Sequence, residues 1–317
     1  AQQLNVSGLS TFAGIATHTA GLFGTQASFS GVVTALSFSG NASSATYGFY
    51  IYYTTNNDFI YNSAVCTSPY NQSYGMYHYS YGAYQTDVIQ NNCIANVGTG
   101  PAVYIQYYDI RSLDYNNWFS KGSNMGNWNG TLYANLSSWQ SAIGYDGNSI
   151  STNPYFLSNT NLHTNNPALN GIASPFSGIN DDFDGQSRNA TTPDIGADEF
   201  TPPTLDASIS SINNVNYCSS TSTANVTLLN YGSVTLTSVK INWSVNSTAQ
   251  TAYNWSGSLA GGASVTVNIG TFSTTSGSYT LLASSSAPNG GTDLNTANDT
   301  ALPVTMNGGM SGTYTIG

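Results

Sequence analysis

Apolar and polar positions alternate with a period of two in short runs along most of the chain, the pattern of strands that bury one face. Runs at 49–53, 88–94 and 102–110 are rich in Tyr, Val and Ile and are bounded by clusters of Asn, Gly and Ser, which predicts strands closed by turns. Seven further runs lie beyond Pro202-Pro203, at 205–212, 225–229, 239–245, 251–259, 264–272, 278–283 and 301–306. Turns such as Asn230-Tyr231-Gly232, Ala260-Gly261-Gly262 and Pro288-Asn289-Gly290-Gly291 separate most of them. That spacing predicts an immunoglobulin-like β-sandwich over 205–307, with Trp243 and Trp255 as core anchors. Residues 201–204 read as a linker, because consecutive prolines interrupt ladders and helices alike.

Between 48 and 200 the register differs. Asn pairs recur at Asn56-Asn57, Asn91-Asn92 and Asn116-Asn117, with spacings of 35 and 25 residues. In a parallel β-helix, Asn at one corner of successive coils exchanges amide hydrogen bonds along the axis, and unequal spacing means loops of different length leaving a regular coil. The first 47 residues repeat themselves: Phe12-Ala13-Gly14, Phe29-Ser30-Gly31 and Phe38-Ser39-Gly40 recur, as in strands stacked by repetition.

Composition narrows the class. Four Lys plus Arg stand against fourteen Asp plus Glu, of which Glu199 is the only Glu, so a helical surface has few residues to be built from. With a net charge of -10 and no cluster of cations, nucleic acid is excluded as a partner. No apolar run approaches the roughly 20 residues of a membrane span, so no membrane insertion is expected. Ala1-Gln2 suits a mature N-terminus left by removal of a signal peptide. Cys66, Cys93 and Cys218 have no metal-ligand spacing; Cys66 and Cys93 either meet on neighbouring rungs or stay as buried thiols.

Several phrases carry family resemblances. Leu4 to Phe12 and Ser37 to Thr46 resemble the repeats of cyanophage tail-fibre proteins. Leu113-Asp114-Tyr115-Asn116-Asn117-Trp118, Gly126-Asn127-Trp128-Asn129-Gly130, Asn166-Pro167-Ala168-Leu169-Asn170-Gly171, Asp182-Phe183-Asp184-Gly185 and Pro193-Asp194-Ile195-Gly196-Ala197-Asp198-Glu199-Phe200 follow one another. This series resembles the end of right-handed parallel β-helix domains in secreted Bacteroidota proteins of the choice-of-anchor Q type, which implies surface exposure and no defined chemistry. Asn230-Tyr231-Gly232, Leu259-Ala260-Gly261-Gly262 and Asp293-Leu294-Asn295 with Asn298-Asp299 resemble CARDB modules, adhesion-related sandwiches of bacterial surface proteins. Residues 308–317 resemble the start of a further module, and Asp299-Thr300-Ala301 resembles an O-glycosylation motif that would modify Thr300. The expected fold is therefore all-β: a right-handed parallel β-helix over 48–200 followed by the sandwich.

Each candidate site has a plain structural alternative. Asp181, Asp182, Asp184 and Asp194 offer clustered carboxylates around Gly185 for Ca²⁺, a hard ion taking six to eight oxygens; the alternative is capping, with Asp184 paired to Arg188 and the other acids closing turns. Asp293, Asn295, Asn298 and Asp299 form a similar set in the sandwich. Tyr77, Tyr79, Tyr81, Trp118 and Trp128 offer ring faces for sugars, against which stands ordinary packing. A polysaccharide lyase needs a cation and base, for which the coil has only Arg111 and Lys121. A hydrolase needs two facing carboxylates, which Asp87, Asp109 and Asp114 would have to supply. His18, His78 and His163 have no triad partners in sequence. The expected function is a non-catalytic, Sec-exported extracellular adhesive segment, by the type IX route if of Bacteroidota kind, binding surface glycans or other polymers beside further modules of its own polypeptide. The alternatives are a carbohydrate-active enzyme and a viral tail fibre, the latter implying a homo-oligomer.

Overall fold

The computed structural model describes residues 33–34, 47–52, 57–79, 87–106, 110–213, 221–274 and 278–307, with backbone alone at 33, 34, 52 and 307. Most of segment 1–47, all of 308–317, and Asn56, Tyr81, Asp109, His18 and Cys218 lie outside them.

The first part is a three-sided stack of parallel strands. Its elements are β1 (Val33–Thr34), β2 (Tyr47–Tyr52), β3 (Asp58–Ile60), β4 (Ser63–Cys66), β5 (Tyr74–Tyr79), β6 (Asp87–Gln90), β7 (Cys93–Asn96), β8 (Val103–Gln106), β9 (Ile110–Asp114), β10 (Asn117–Ser120) and β11 (Gly126–Trp128). They pair in three ladders, β1-β3-β6-β9, β4-β7-β10 and β2-β5-β8-β11. The register stacks inward residues in columns: Ala64, Ile94 and Trp118 form one, and Ile51, His78, Ile105 and Trp128 another, in which His78 is the polar member. Each fully buried Ile or Leu of this interior contributes about 1.5–3 kcal/mol. β1 pairs with β3, so a small part of the N-terminal repeat belongs to the stack.

One corner explains the Asn pattern. Tyr61, Asn91 and Tyr115 turn the chain between β3 and β4, β6 and β7, and β9 and β10 with φ of 56°, 60° and 55°, the left-handed region. The next residues, Asn62, Asn92 and Asn116, are buried and bonded along the axis: Asn62 Nδ2 donates to Asn92 Oδ1 at 2.9 Å, and Asn92 Nδ2 to Asn116 Oδ1 at 3.0 Å. The ladder is thus not the three Asn pairs in line. Asn116, the first of its pair, stands opposite Asn92, the second of its own, and Asn62 takes the rung expected of Asn56-Asn57. The corner needs one left-handed residue followed by one amide, and a pair of Asn can meet that need in either phase.

At its end the stack is closed. β12 (Thr131–Tyr133) folds back antiparallel on β11, and α1 (Leu136–Ile143) follows, with the Asn135 side chain accepting from the Ser138 N–H and Gly144 ending the helix at φ 71°. Trp139 of this helix lies over Gly126, where a Cβ would come within 2.7 Å of its ring. Its Nε1 donates at 2.7 Å to Asp146, whose carboxyl burial pushes up.

Residues 151–200 do not continue the coil. They form no strand beyond isolated bridges and fold against the Asn corner instead. Gly196 N–H donates to Asn91 O at 2.8 Å, Ala197 N–H to Ser63 Oγ at 2.9 Å and Tyr61 Oη to Ser174 O at 2.8 Å. Leu169 and Ile195 pack on Ile60 and Val88. Arg188 stacks 4.0 Å over the Tyr61 ring and meets Glu199 at 3.5 Å, so the expected Asp184–Arg188 pair is replaced. Cys93 stands opposite Ser63 and Cys66 opposite Asn96, so the two buried cysteines do not face each other across neighbouring rungs.

The second part is an antiparallel sandwich of β13 (Ala207–Asn213), β14 (Thr221–Asn230), β15 (Leu236–Val245), β16 (Thr248–Ala249), β17 (Tyr253–Leu259), β18 (Ser264–Ser273), β19 (Ser278–Ser286) and β20 (Val304–Asn307). One sheet is β13-β14-β18; the other is β16-β15-β19-β20, with β17 also on β15. Trp243 is buried between them and Trp255 packs at the margin. All seven expected runs are strands. The linker is tied down: Pro203 O accepts from Ser233 N–H at 2.8 Å and Thr204 O from Val234 N–H at 3.2 Å. Beside it Tyr155 meets Tyr231 edge-on at 5.3 Å, and Gly262, at φ 75°, has no room for a Cβ against Asn166 Oδ1 (2.4 Å) and Ala168 Cβ (2.8 Å).

Candidate functional site

Strand register decides which aromatic residues reach solvent. On the outer face of β2, β5 and β8, Tyr50, Tyr77 and Tyr104 stand in one column, with ring centroids 5.1 and 4.5 Å apart and planes within 14° and 5°. Tyr47 and Tyr74 stack beside them at 6.2 Å. Rungs about 4.8 Å apart bring the rings into face-to-face contact. The face of Tyr77 is therefore shared with its neighbours, and ring edges and hydroxyls are what the column presents outward. Tyr50, at the end of the column, is 55% exposed. Tyr79 follows on the same strand, in register with Gln106. Trp118 is fully buried and Trp128 points into the coil against Trp139, so neither offers a face to a sugar. Alternation puts both in inward columns. The 27-residue spacing of Tyr50, Tyr77 and Tyr104 was the signal available for the true column.

The acids of the coil are separated. Asp87 is wholly buried, 2.9 Å from His78 Nε2 and accepting from Asn57 N–H at 2.8 Å. Asp114 accepts from the backbone of Tyr115 and Asn148 and from the Asn148 amide. Asp58 meets Arg111 at 3.2 Å. Lys121 is exposed.

The Ca²⁺ set Asp181, Asp182, Asp184 and Asp194 is not gathered into one shell. Asp182 closes turns, accepting from the N–H groups of Asp184, Gln186 and Glu199 at 3.0, 2.7 and 3.0 Å. Asp194 accepts from Gly171 and Phe200 N–H at 2.6 and 2.7 Å, and burial pushes its carboxyl up to about 6. Asp181 is exposed and bonds Ser187. Asp184 alone finds a different company: one ligand atom each of His163, Asp184 and Asp198 lies within 4.8 Å of the others. His163 Nε2 is 2.7 Å from Asp184, its Nδ1 is held by Asn161 Oδ1, and burial raises the carboxyl of Asp198. An imidazole oriented from behind and two carboxylates are a donor set for a borderline ion such as Zn²⁺ rather than for Ca²⁺. The residues lie 21 and 14 apart in sequence, so spacing gave no sign of the group.

In the sandwich, Asp293, Asn295, Asn298 and Asp299 gather round a residue that the sequence did not single out, Asp206. Asp293 accepts from Ala207 N–H at 2.9 Å, and Asn295 and Asn298 donate to Asp206 Oδ2 at 3.3 and 3.2 Å. Burial, then the neighbouring carboxylates, push Asp299 up to about 6; burial and Asp293 do the same to Asp206. Thr300 is exposed, on an isolated bridge to Ser284.

No protein-family model matches the chain, and no curated protein does. Among solved structures, the C-terminal third is similar to the CARDB domain of a Pyrococcus furiosus protein, crystallised in complex with di-metal ions. That match is 22% identical, covers 35% of this chain and 96% of that one, and has a TM-score of 0.26. The solution NMR structure of the same domain matches at 22% identity, 34% and 96% coverage and a TM-score of 0.26.

Proposed function

We propose that the chain is a non-catalytic structural and adhesive segment of a cell-surface or secreted protein, in which the tyrosine columns of the coil bind extracellular glycans or similar polymers. The stacked column Tyr50–Tyr77–Tyr104 carries the reading. A polymer lying along the coil axis meets a phenol edge and hydroxyl at each rung, spaced about as closely as the strands themselves. Single contacts of this kind are weak, and repetition along a stiff support supplies the avidity. The tied linker and the packed junction at Gly262 support a rod that holds the face outward. The separation of Asp87 from Asp114, each engaged with its own partners among the described residues, speaks against a hydrolytic pair. Export and neighbouring modules belong to the same proposal.

The test is binding of the full chain to a polysaccharide panel, run alongside assays for reducing ends and unsaturated products. Binding that falls at least tenfold in Tyr50→Ala/Tyr77→Ala with an unchanged circular dichroism spectrum supports the reading. Turnover of any polysaccharide, or binding indifferent to both tyrosines, overturns it. Light scattering adds the oligomeric state, a trimer being the mark of a fibre.

A further inference from the structure

Among the described residues of the sandwich, three buried side-chain oxygens have no hydrogen-bond partner: Asp206 Oδ1, Asn298 Oδ1 and Asp299 Oδ1. They belong to one cluster, since Asn298 donates to Asp206 at 3.2 Å and Asp299 is the next residue in the chain. Asp206 itself is wholly inaccessible. A buried carboxylate left with an unsatisfied oxygen is costly, and two further carboxylates beside it add repulsion. The chain has only four Lys and Arg, and none relieves the charge: Arg111 pairs with Asp58, Arg188 with Glu199, and Lys121 and Lys240 are exposed elsewhere.

We infer that Asp206, Asn298 and Asp299, with Asp293 beside them, form a binding site for a hard divalent cation, Ca²⁺ in the first instance. The donors are all oxygen, two carboxylates and an amide, which suits Ca²⁺ and disfavours softer ions that seek imidazole or thiolate. Asp206, Asp293 and Asp299 do not bring one oxygen each within 4.8 Å of one another, unlike the His163 group. The 293–299 loop already lies on the start of β13, where Asp293 accepts from Ala207 N–H, Asn298 O accepts from Ser208 Oγ at 2.6 Å and Leu205 O accepts from Leu294 N–H at 3.0 Å. That start follows the linker directly, and Asp206 O already accepts from Tyr231 and Gly232 N–H at 2.9 and 3.0 Å. The cation thus ties the loop before β20 to the joint between coil and sandwich. This inference is independent of the glycan reading.

The experiment uses the full chain stripped with chelator and titrated with CaCl₂, followed by calorimetry and thermal unfolding. One strong site is expected, and Ca²⁺ at about 100-fold over its Kd raises the sandwich midpoint by roughly 10–20 °C. Asp206→Asn and Asp299→Asn abolish both effects, whereas His163→Ala leaves both intact. Without calcium, Asp206→Asn unfolds no earlier than the parent, because it loses the uncompensated charge; a carboxylate serving only as an acceptor for Asn295 and Asn298 gives the opposite sign. Absence of binding up to millimolar Ca²⁺, or binding that survives Asp299→Asn or vanishes in His163→Ala, overturns the assignment.

Discussion

Asn92 is the middle rung of the corner ladder, and its replacement tests whether that ladder holds the coil together. Its Oδ1 accepts from the Asn62 N–H and Asn62 Nδ2, both at 2.9 Å, and its Nδ2 donates to Phe59 O at 2.8 Å and Asn116 Oδ1 at 3.0 Å. Asn92→Ala removes all four bonds. Asn62 Nδ2 retains Ile60 O and Asn116 Oδ1 retains the Asn92 N–H, so the main losses are at the buried Asn62 N–H and Phe59 O. At about 1–3 kcal/mol for each stranded group, the coil loses roughly 3 kcal/mol. With a urea slope of about 2 kcal/mol/M, the midpoint falls by about 1.5 M. Asn92→Asp is nearly isosteric and keeps the acceptor for Asn62, yet turns a second oxygen toward Phe59 O and Asn116 Oδ1 and buries a charge. It should be the more damaging of the two. Urea melts followed by fluorescence read the coil through Trp118, Trp128 and Trp139 and the sandwich through Trp243 and Trp255, and the coil transition is the one that the Asn92 variants shift. A midpoint shift below about 0.3 M for Asn92→Ala, or an Asp variant milder than the Ala variant, refutes the reasoning.

Arg188→Met should destabilise by about 3–5 kcal/mol in the same melt, since it strands Glu199 and the carbonyls of Gly196 and Ala197 that Arg188 Nη2 holds at 3.0 and 2.8 Å. Gly262→Ala forces a Cβ to 2.4 Å from Asn166 Oδ1 at φ 75°; limited proteolysis with chymotrypsin should then cut after Phe200 or Leu205, on either side of the prolines, while the parent resists. Burial raises the carboxyls of Asp146 and Asp194, the latter to about 6. The native chain therefore holds protons that the unfolded chain has released above its ordinary range near 4, so the contribution of these two groups to stability is full below that range and is lost as pH rises, for Asp194 through about 6. Urea midpoints at pH 5 and pH 8 check the direction, and Asp194→Asn should flatten part of the slope.

Local pattern was enough wherever one face of a strand is buried and the other is not. The sandwich strands were legible from alternation and from turns such as Ala260-Gly261-Gly262, and the three-sided stack from repeated amides. What failed was phase. Asn91-Asn92 and Asn116-Asn117 look alike in sequence, but the left-handed corner falls on Asn91 in one and on Tyr115 in the other, and nothing local sets that choice. Residue type leaves Trp118 and Trp128 open to sugar stacking or to ordinary packing, and the choice between outside and inside is a property of register. Residues 151–200 have the turn chemistry of a coil without its strand runs, so their side-on fold depends on distant partners such as Ser63 and Asn91. Asp206 is a lone acid before a strand, and such a residue carries no signature until its loop partners are known.

The antiparallel return of β12 on β11 limits how the molecule can grow. A parallel solenoid with an open last rung is a template on which another copy can lay its first strand. Here the third ladder ends in a strand of opposite direction, with an indole seated over the glycine behind it. New turns can enter by duplication ahead of Gly126, where each finds a matching rung on both sides, but they cannot be appended to that ladder past the plug. Length is thus free to vary on one side only, and the spacing from plug to sandwich stays constant however many coils precede it.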